Sequence, residues 1–265
     1  MSFKIALLQF APQRKNIPTN NKTIETMLSG EHADLIALPR TSPQQNPTQK
    51  SWYLLPFTEP CCGSALLLST LKQFSKQTEG LIIASYAEKP HKCFYNSAAA
   101  VDSESVIHNY CKIHLFAGEK DLFSPGSEPI TPFSWQGVWI GIMTLLRWFF
   151  PESTPSLALQ GAQIIAHPAN LVLPYCQDAM VTRSIENRVF TITANRIGSE
   201  ELGSQSLAFT GVSQMTNPTG RILFRESPYK PAVHTVTIDP VQASHKMINS
   251  KNDLFEDRKL TPYNL

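Results

Sequence analysis

Charge is scarce in this sequence: Asp, Glu, Lys and Arg make up 17% of its 265 residues, against roughly 25% in an average soluble domain. Lys and Arg total 23 and Asp and Glu 21, a formal net charge of +2, with no conspicuous basic run. A nucleic-acid or membrane-surface partner is therefore not expected. Long apolar runs are missing as well, none approaching the roughly 20 residues that a membrane helix needs. The apolar N-terminus soon meets Gln9, Pro12 and Arg14, too short for a signal segment, so a cytoplasmic protein is expected. Cysteine offers no disulfide framework. There are five, Cys61, Cys62, Cys93, Cys111 and Cys176, an odd number with two adjacent, so reduced thiols are expected.

The common catalytic signatures are absent too. There is no G-x-S-x-G elbow, no G-x-x-x-x-G-K-[ST] loop, no G-x-G-x-x-G and no H-E-x-x-H, and no cofactor is expected. One metal-like spacing exists, His108-x-x-Cys111-x-x-His114. Segment 105–116 reads as a strand, which puts position 111 on the face opposite 108, 112 and 114, so three ligands do not converge and no metal is expected.

What is present is an alternation of strand and helix patterns. Apolar runs at 3–10, 34–38, 81–86, 96–101, 138–143, 164–166, 189–194 and 233–238 read as strands. Several show little polar alternation, which suits sheets covered on both faces. Helical periodicity marks 20–28, 63–77, 153–160 and 177–188. Pro155 falls early in the third, where the missing N–H has no intrahelical partner to lose. No linker or low-complexity block interrupts the series, so residues 1–265 are read as one layered α/β domain.

The residues also carry a specific resemblance. The stretches Lys4-Ile-Ala-Leu-Leu-Gln-Phe10, Ala33-Asp-Leu-Ile-Ala-Leu-Pro39, Tyr110-Cys-Lys-Ile-His-Leu-Phe116 with Pro125-Gly126, and Gly141 through Phe149-Phe-Pro-Glu152 with Leu157-Ala-Leu-Gln-Gly-Ala162 form a series. It continues with His167-Pro-Ala-Asn-Leu-Val-Leu-Pro174 and Glu186-Asn-Arg-Val-Phe-Thr-Ile-Thr-Ala-Asn-Arg196. In that order they resemble the successive blocks of the nitrilase superfamily of carbon-nitrogen hydrolases. The resemblance implies a four-layer α-β-β-α sandwich, usually dimerised, with a Glu base, a Lys and a Cys nucleophile at the bottom of a pocket.

Carried over residue by residue, the resemblance breaks at the chemistry. The family's Glu follows the Leu-Pro of the second strand, and here Arg40 stands there. Its Lys is retained as Lys112, and a further pocket acid matches Glu119. Its Cys lies seven residues before the Glu of Phe-Pro-Glu, a place held by Leu145, and the Asp two residues later is Arg147. A leucine has no lone pair for a carbonyl carbon, and an arginine is always protonated. The expected protein is a catalytically inactive homologue, a homodimer with a binding or scaffold role.

Charge gives that reading a finer form. If Arg40 and Lys112 point inward together, about 4 Å apart, they repel by roughly 4 kcal/mol at an effective dielectric of 20. The expectation is that Lys112 rests on Glu119, leaving Arg40 to a small anionic ligand at the pocket mouth. The resemblance places Asn170, with the loop 170–174, on the pocket border. An alternative is a carbon-nitrogen hydrolase with a displaced thiol, for which Cys176, just past that loop, is the one cysteine with a route in.

Overall fold

The computed structural model describes residues 1–13, 16–40, 58–59, 66–90, 93–202 and 205–259. Its strands are β1 (Phe3–Gln9), β2 (Leu35–Ala37), β3 (Thr58–Glu59), β4 (Leu81–Glu88), β5 (Tyr95–Val101), β6 (Val106–Cys111), β7 (Phe133–Trp135) and β8 (Val138–Ile142). The second half adds β9 (Ile164–Pro168), β10 (Phe190–Ala194), β11 (Ser199–Leu202), β12 (Gln205–Ala208), β13 (Gln214–Thr216), β14 (Ile222–Arg225) and β15 (Ala232–Ile238). Four helices accompany them: α1 (Ile17–Leu28), α2 (Leu66–Thr78), α3 (Ser153–Ala158) and α4 (Cys176–Asn187).

Two mixed sheets result. One runs β15-β1-β2-β4-β5-β6 with β3 beside β4, the other β14-β13-β10-β9-β8-β7. Their facing sides share one apolar layer, in which Ile5, Leu7, Leu81 and Ile83 meet Ile140, Ile164, Phe190 and Ile192. The outer face of the first sheet is covered by Ile24 and Leu28 of α1 and Leu68, Leu71 and Phe74 of α2. The outer face of the second is covered by Leu157 of α3 and Met180 of α4. This is the α-β-β-α sandwich, and it explains why β4 is buried at every position. A strand covered on both faces needs no polar alternation.

Two observed bounds differ from the expected ones for local reasons. Helix α1 begins three residues before the expected 20, because the Asn16 side chain accepts the Thr19 N–H at 3.2 Å and Pro18 sits in the first turn. Helix α3 lies close against β8 because Gly141 has no side chain: a Cβ there would stand 2.8 Å from Leu157 Cδ1. The strand expected over 105–116 stops at Cys111. Beyond it the Lys112 N–H still bonds the Asn96 carbonyl at 2.8 Å, but residues 117–121 wind into one 3₁₀ turn. That turn folds Glu119 back towards Lys112. Among the described residues no helix is long and apolar enough to cross a membrane.

Candidate functional site

The site lies where the inner faces of the two sheets end. Arg40 follows β2, and its backbone N–H bonds the Ala169 carbonyl at 3.1 Å, tying the end of the first sheet to the end of β9. Lys112 follows β6, held by Asn96 on one side and by the Gly126 N–H, which reaches the Lys112 carbonyl at 2.9 Å, on the other. Gly126 is required there: a Cβ would stand 2.5 Å from the Cys111 carbonyl oxygen.

Between the two cations sits Glu119. Its Oε1 accepts from Arg40 Nη1 at 2.8 Å and from Asn96 Nδ2 at 2.9 Å. Its Oε2 accepts from Lys112 Nζ at 2.5 Å and from the Phe116 backbone N–H at 2.9 Å. A carboxylate has about four acceptor sites, and these four donors fill them. Arg40 and Lys112 are 1% and 0% exposed, and the Glu119 side chain 13%. This corrects one expectation: Arg40 is not at the pocket mouth. It is turned inward and shares with Lys112 the carboxylate that had been assigned to Lys112 alone.

The electrostatics follow from that crowding. Burial pushes the Glu119 carboxyl up, but Arg40 and Lys112 together outweigh it, and the group is held below the usual carboxylate range. The Lys112 amine falls from its ordinary 10.5 to about 8, because burial of the ammonium, joined by a smaller repulsion from Arg40, outweighs what Glu119 restores. The folded protein thus releases that proton near pH 8, while the unfolded chain holds it to about 10.5. Unfolding in that window takes up a proton, so stability climbs with pH across it. Lys246, also lowered to about 8 where it caps the Asn187 and Arg188 carbonyls, adds to the climb. Urea midpoints near pH 7 and near pH 10 should show the rise, and Lys112→Met should remove about half of it, since two such lysines contribute.

The other expected residues separate. Leu145 opens the 3₁₀ turn Leu145–Phe149 directly after β8. Arg147 is buried away from the Glu119 group: its Nη1 donates to the Tyr110 hydroxyl at 2.8 Å and its Nε to Ser153 Oγ at 3.3 Å. Asn170 is buried and, with Leu171, Val172 and Leu173, lines one wall of a cavity of about 40 Å³. Phe116, Glu119, Trp148 and Phe149 line it too.

No described thiol reaches this cavity. Cys176, the candidate for a displaced nucleophile, is 0% exposed at the start of α4. Its Sγ lies 3.8 Å from His167 Nδ1, and burial pushes the thiol well up. Cys111 points to the other face of the first sheet, as the strand reading expects, and Cys93 is exposed. Cys61 and Cys62 lie outside the described residues. His108 stacks on Phe133 and His114 on Phe150, so the spacing His108-Cys111-His114 does not converge, and among the described residues no group of three metal-ligating side chains occurs.

Two contributors went unnoticed in the sequence. Asn96 serves the site twice, through its amide to Glu119 and its carbonyl to Lys112. Its signal was available, a polar residue opening the run 96–101, which ends in Ala-Ala-Ala-Val. Arg196 forms a second buried pair with Glu200 and lies close enough to Arg40 to repel it.

Comparison with known proteins agrees with this fold. The model of the carbon-nitrogen hydrolase family matches residues 4–245. A nitrilase of Pyrococcus abyssi is 41% identical over 189 residues, 71% of either chain. An (R)-stereoselective amidase of Pseudomonas sp is 32% identical over 205 residues, 76% of this chain and 72% of its own. Among solved structures, a carbon-nitrogen hydrolase from Helicobacter pylori G27 superposes with a TM-score of 0.85 at 21% identity, covering 100% of this chain and 98% of that one. An amidase from Nesterenkonia sp. gives 0.79 at 21% identity, over 99% and 95%; a variant of it carries acrylamide added at its active site cysteine. The chain belongs to the carbon-nitrogen hydrolase family, the nitrilase superfamily.

Proposed function

We propose that this chain is a non-catalytic member of its family, in which the reactive centre has been replaced by an ion-pair cluster and the fold serves as a scaffold. The observation that carries the reading is the Arg40–Glu119–Lys112 bridge. A family reaction needs a nucleophile and a base that accepts its proton. Arg40 accepts no proton, Leu145 supplies no nucleophile, and Glu119, the remaining carboxylate, is clamped between two cations that hold it below the usual carboxylate range and make it a weak base. The Nesterenkonia amidase, with its named active site cysteine, supports the reading by contrast.

A scaffold suits the space better than a ligand site does. Small-molecule sites usually occupy about 300–1,000 Å³, and the cavity here holds about 40 Å³. The inward Arg40 leaves the expected small anion without its donor at the mouth. A hydrolase working through Cys176 would need a thiol that substrate can reach, and that thiol is buried in the outer core.

The scaffold is proposed to be a homodimer. Phe149, Leu159 and Ile185, on or beside the helical layer over the second sheet, are each about half exposed, more apolar surface than a lone helical layer favours. Light scattering at micromolar concentration should give twice the 29.6 kDa chain mass; a mass of one chain removes the claim. The enzymatic half of the proposal is tested by assaying amides and nitriles, where no turnover is expected.

A further inference from the structure

Behind the site, on the outer face of the first sheet, a second group of reactive side chains has assembled. Strand alternation sends Lys112 inward and Cys111 outward. There the Cys111 thiol lies 3.3 Å from Oε2 of Glu88, the last residue of β4. Glu88 is buried, and the same oxygen accepts from Ser97 Oγ at 2.5 Å and from Asn109 Nδ2 at 3.0 Å. The Asn109 amide is oriented in turn by the Tyr86 hydroxyl, which donates to its Oδ1 at 3.1 Å. Asn109 Nδ2 also stands 3.9 Å from the sulfur, and Ser97 Oγ 3.5 Å from it. Cys111 is partly exposed and lines an open recess of about 250 Å³ with His108, Asn109 and Glu128.

A nucleophile within hydrogen-bond reach of a base, the base fixed by third groups, is the geometric signature of an activated side chain. We propose that Cys111 and Glu88 form a nucleophile–base pair that takes acyl groups from activated donors, aryl esters or thioesters. As Cys111 Sγ forms its bond to the carbonyl carbon, the thiol proton passes to Glu88. The carbon–oxygen or carbon–sulfur bond to the leaving group then breaks, and Glu88 returns the proton to that group. The product is S-acyl Cys111 and a free phenol or thiol, with no change of oxidation state.

The pair is independent of the vestigial pocket. It predicts stoichiometric transfer from an activated ester, whereas the pocket reading concerns turnover of amides and nitriles. The test treats the whole protein with p-nitrophenyl acetate between about pH 6 and pH 8, followed by intact-mass measurement and peptide mapping. One acetyl group on Cys111 is expected. A thiol without a base reacts through its thiolate alone, about tenfold slower for each pH unit lost below its pKa, and N-acetylcysteine run alongside supplies that slope. The protein should show a distinctly shallower slope, and Glu88→Gln should slow acetylation near pH 6 at least tenfold and restore the steep one. The wild-type slope needs no variant to fold. No adduct, an adduct on another cysteine, a slope equal to that of N-acetylcysteine, or an unchanged rate in Glu88→Gln each overturns the proposal.

Discussion

Glu119→Gln is expected to lower the stability of the folded protein by about 3–5 kcal/mol, the usual consequence of removing one partner from a buried charge group. The variant keeps the shape of the side chain and removes its charge. Arg40, which cannot shed its proton, and Lys112, whose amine then falls still further, both at most 1% exposed, lose the carboxylate between them. The new amide also turns two donors towards groups that donate. Against a typical total of about 5–15 kcal/mol, the loss brings the protein near unfolding under mild conditions. Urea denaturation measures it, as a lowered midpoint at unchanged slope. Replacing all three by apolar residues, Arg40→Met with Lys112→Met and Glu119→Leu, should cost far less, because no charge remains to be stranded. A loss below about 1 kcal/mol in Glu119→Gln would mean that the bridge does not hold the site together.

The difference between these variants marks what a linear reading of the chain could reach. Apolar runs such as 81–86 and 138–143 announced sheets covered on both faces, because burial on two sides leaves its mark in consecutive residues. Arg40 and Lys112, which the order of the family blocks singles out, each stand just past the end of a strand of the first sheet. The partner of Arg40 was not legible. Arg40 and Glu119 are 79 positions apart, and their meeting depends on β6 ending at Cys111 and on the 3₁₀ turn that brings Glu119 back, neither of which leaves a periodic signal. The partners of Arg147 were not legible for a related reason: Tyr110 and Ser153 come from the first sheet and from α3. A charge count along the chain gives no hint of them.

The second large effect is a gain of function. Arg40→Glu, Leu145→Cys and Arg147→Asp together should raise amide or nitrile turnover from background by about 10²–10⁴-fold, the range contributed by a positioned base. None of the three alone should do so, because nucleophile and base act as a unit and lacking either costs about as much as lacking both. The triple variant should also be less stable than the parent, since Arg147→Asp removes the hydrogen bonds to Tyr110 and Ser153. A variant that folds, by its melting transition, and remains inert would place the loss of activity elsewhere than at these positions.

The central claim, that the unmodified chain does not catalyse the family reaction, is tested most directly by steady-state assays of the wild-type protein. The substrates are simple amides, nitriles and N-carbamoyl amines, with Lys112→Ala as the control for contaminating activity. The account predicts no product above buffer at any protein concentration, with wild type and Lys112→Ala indistinguishable. Sustained turnover that scales with wild-type protein and disappears in Lys112→Ala would contradict it.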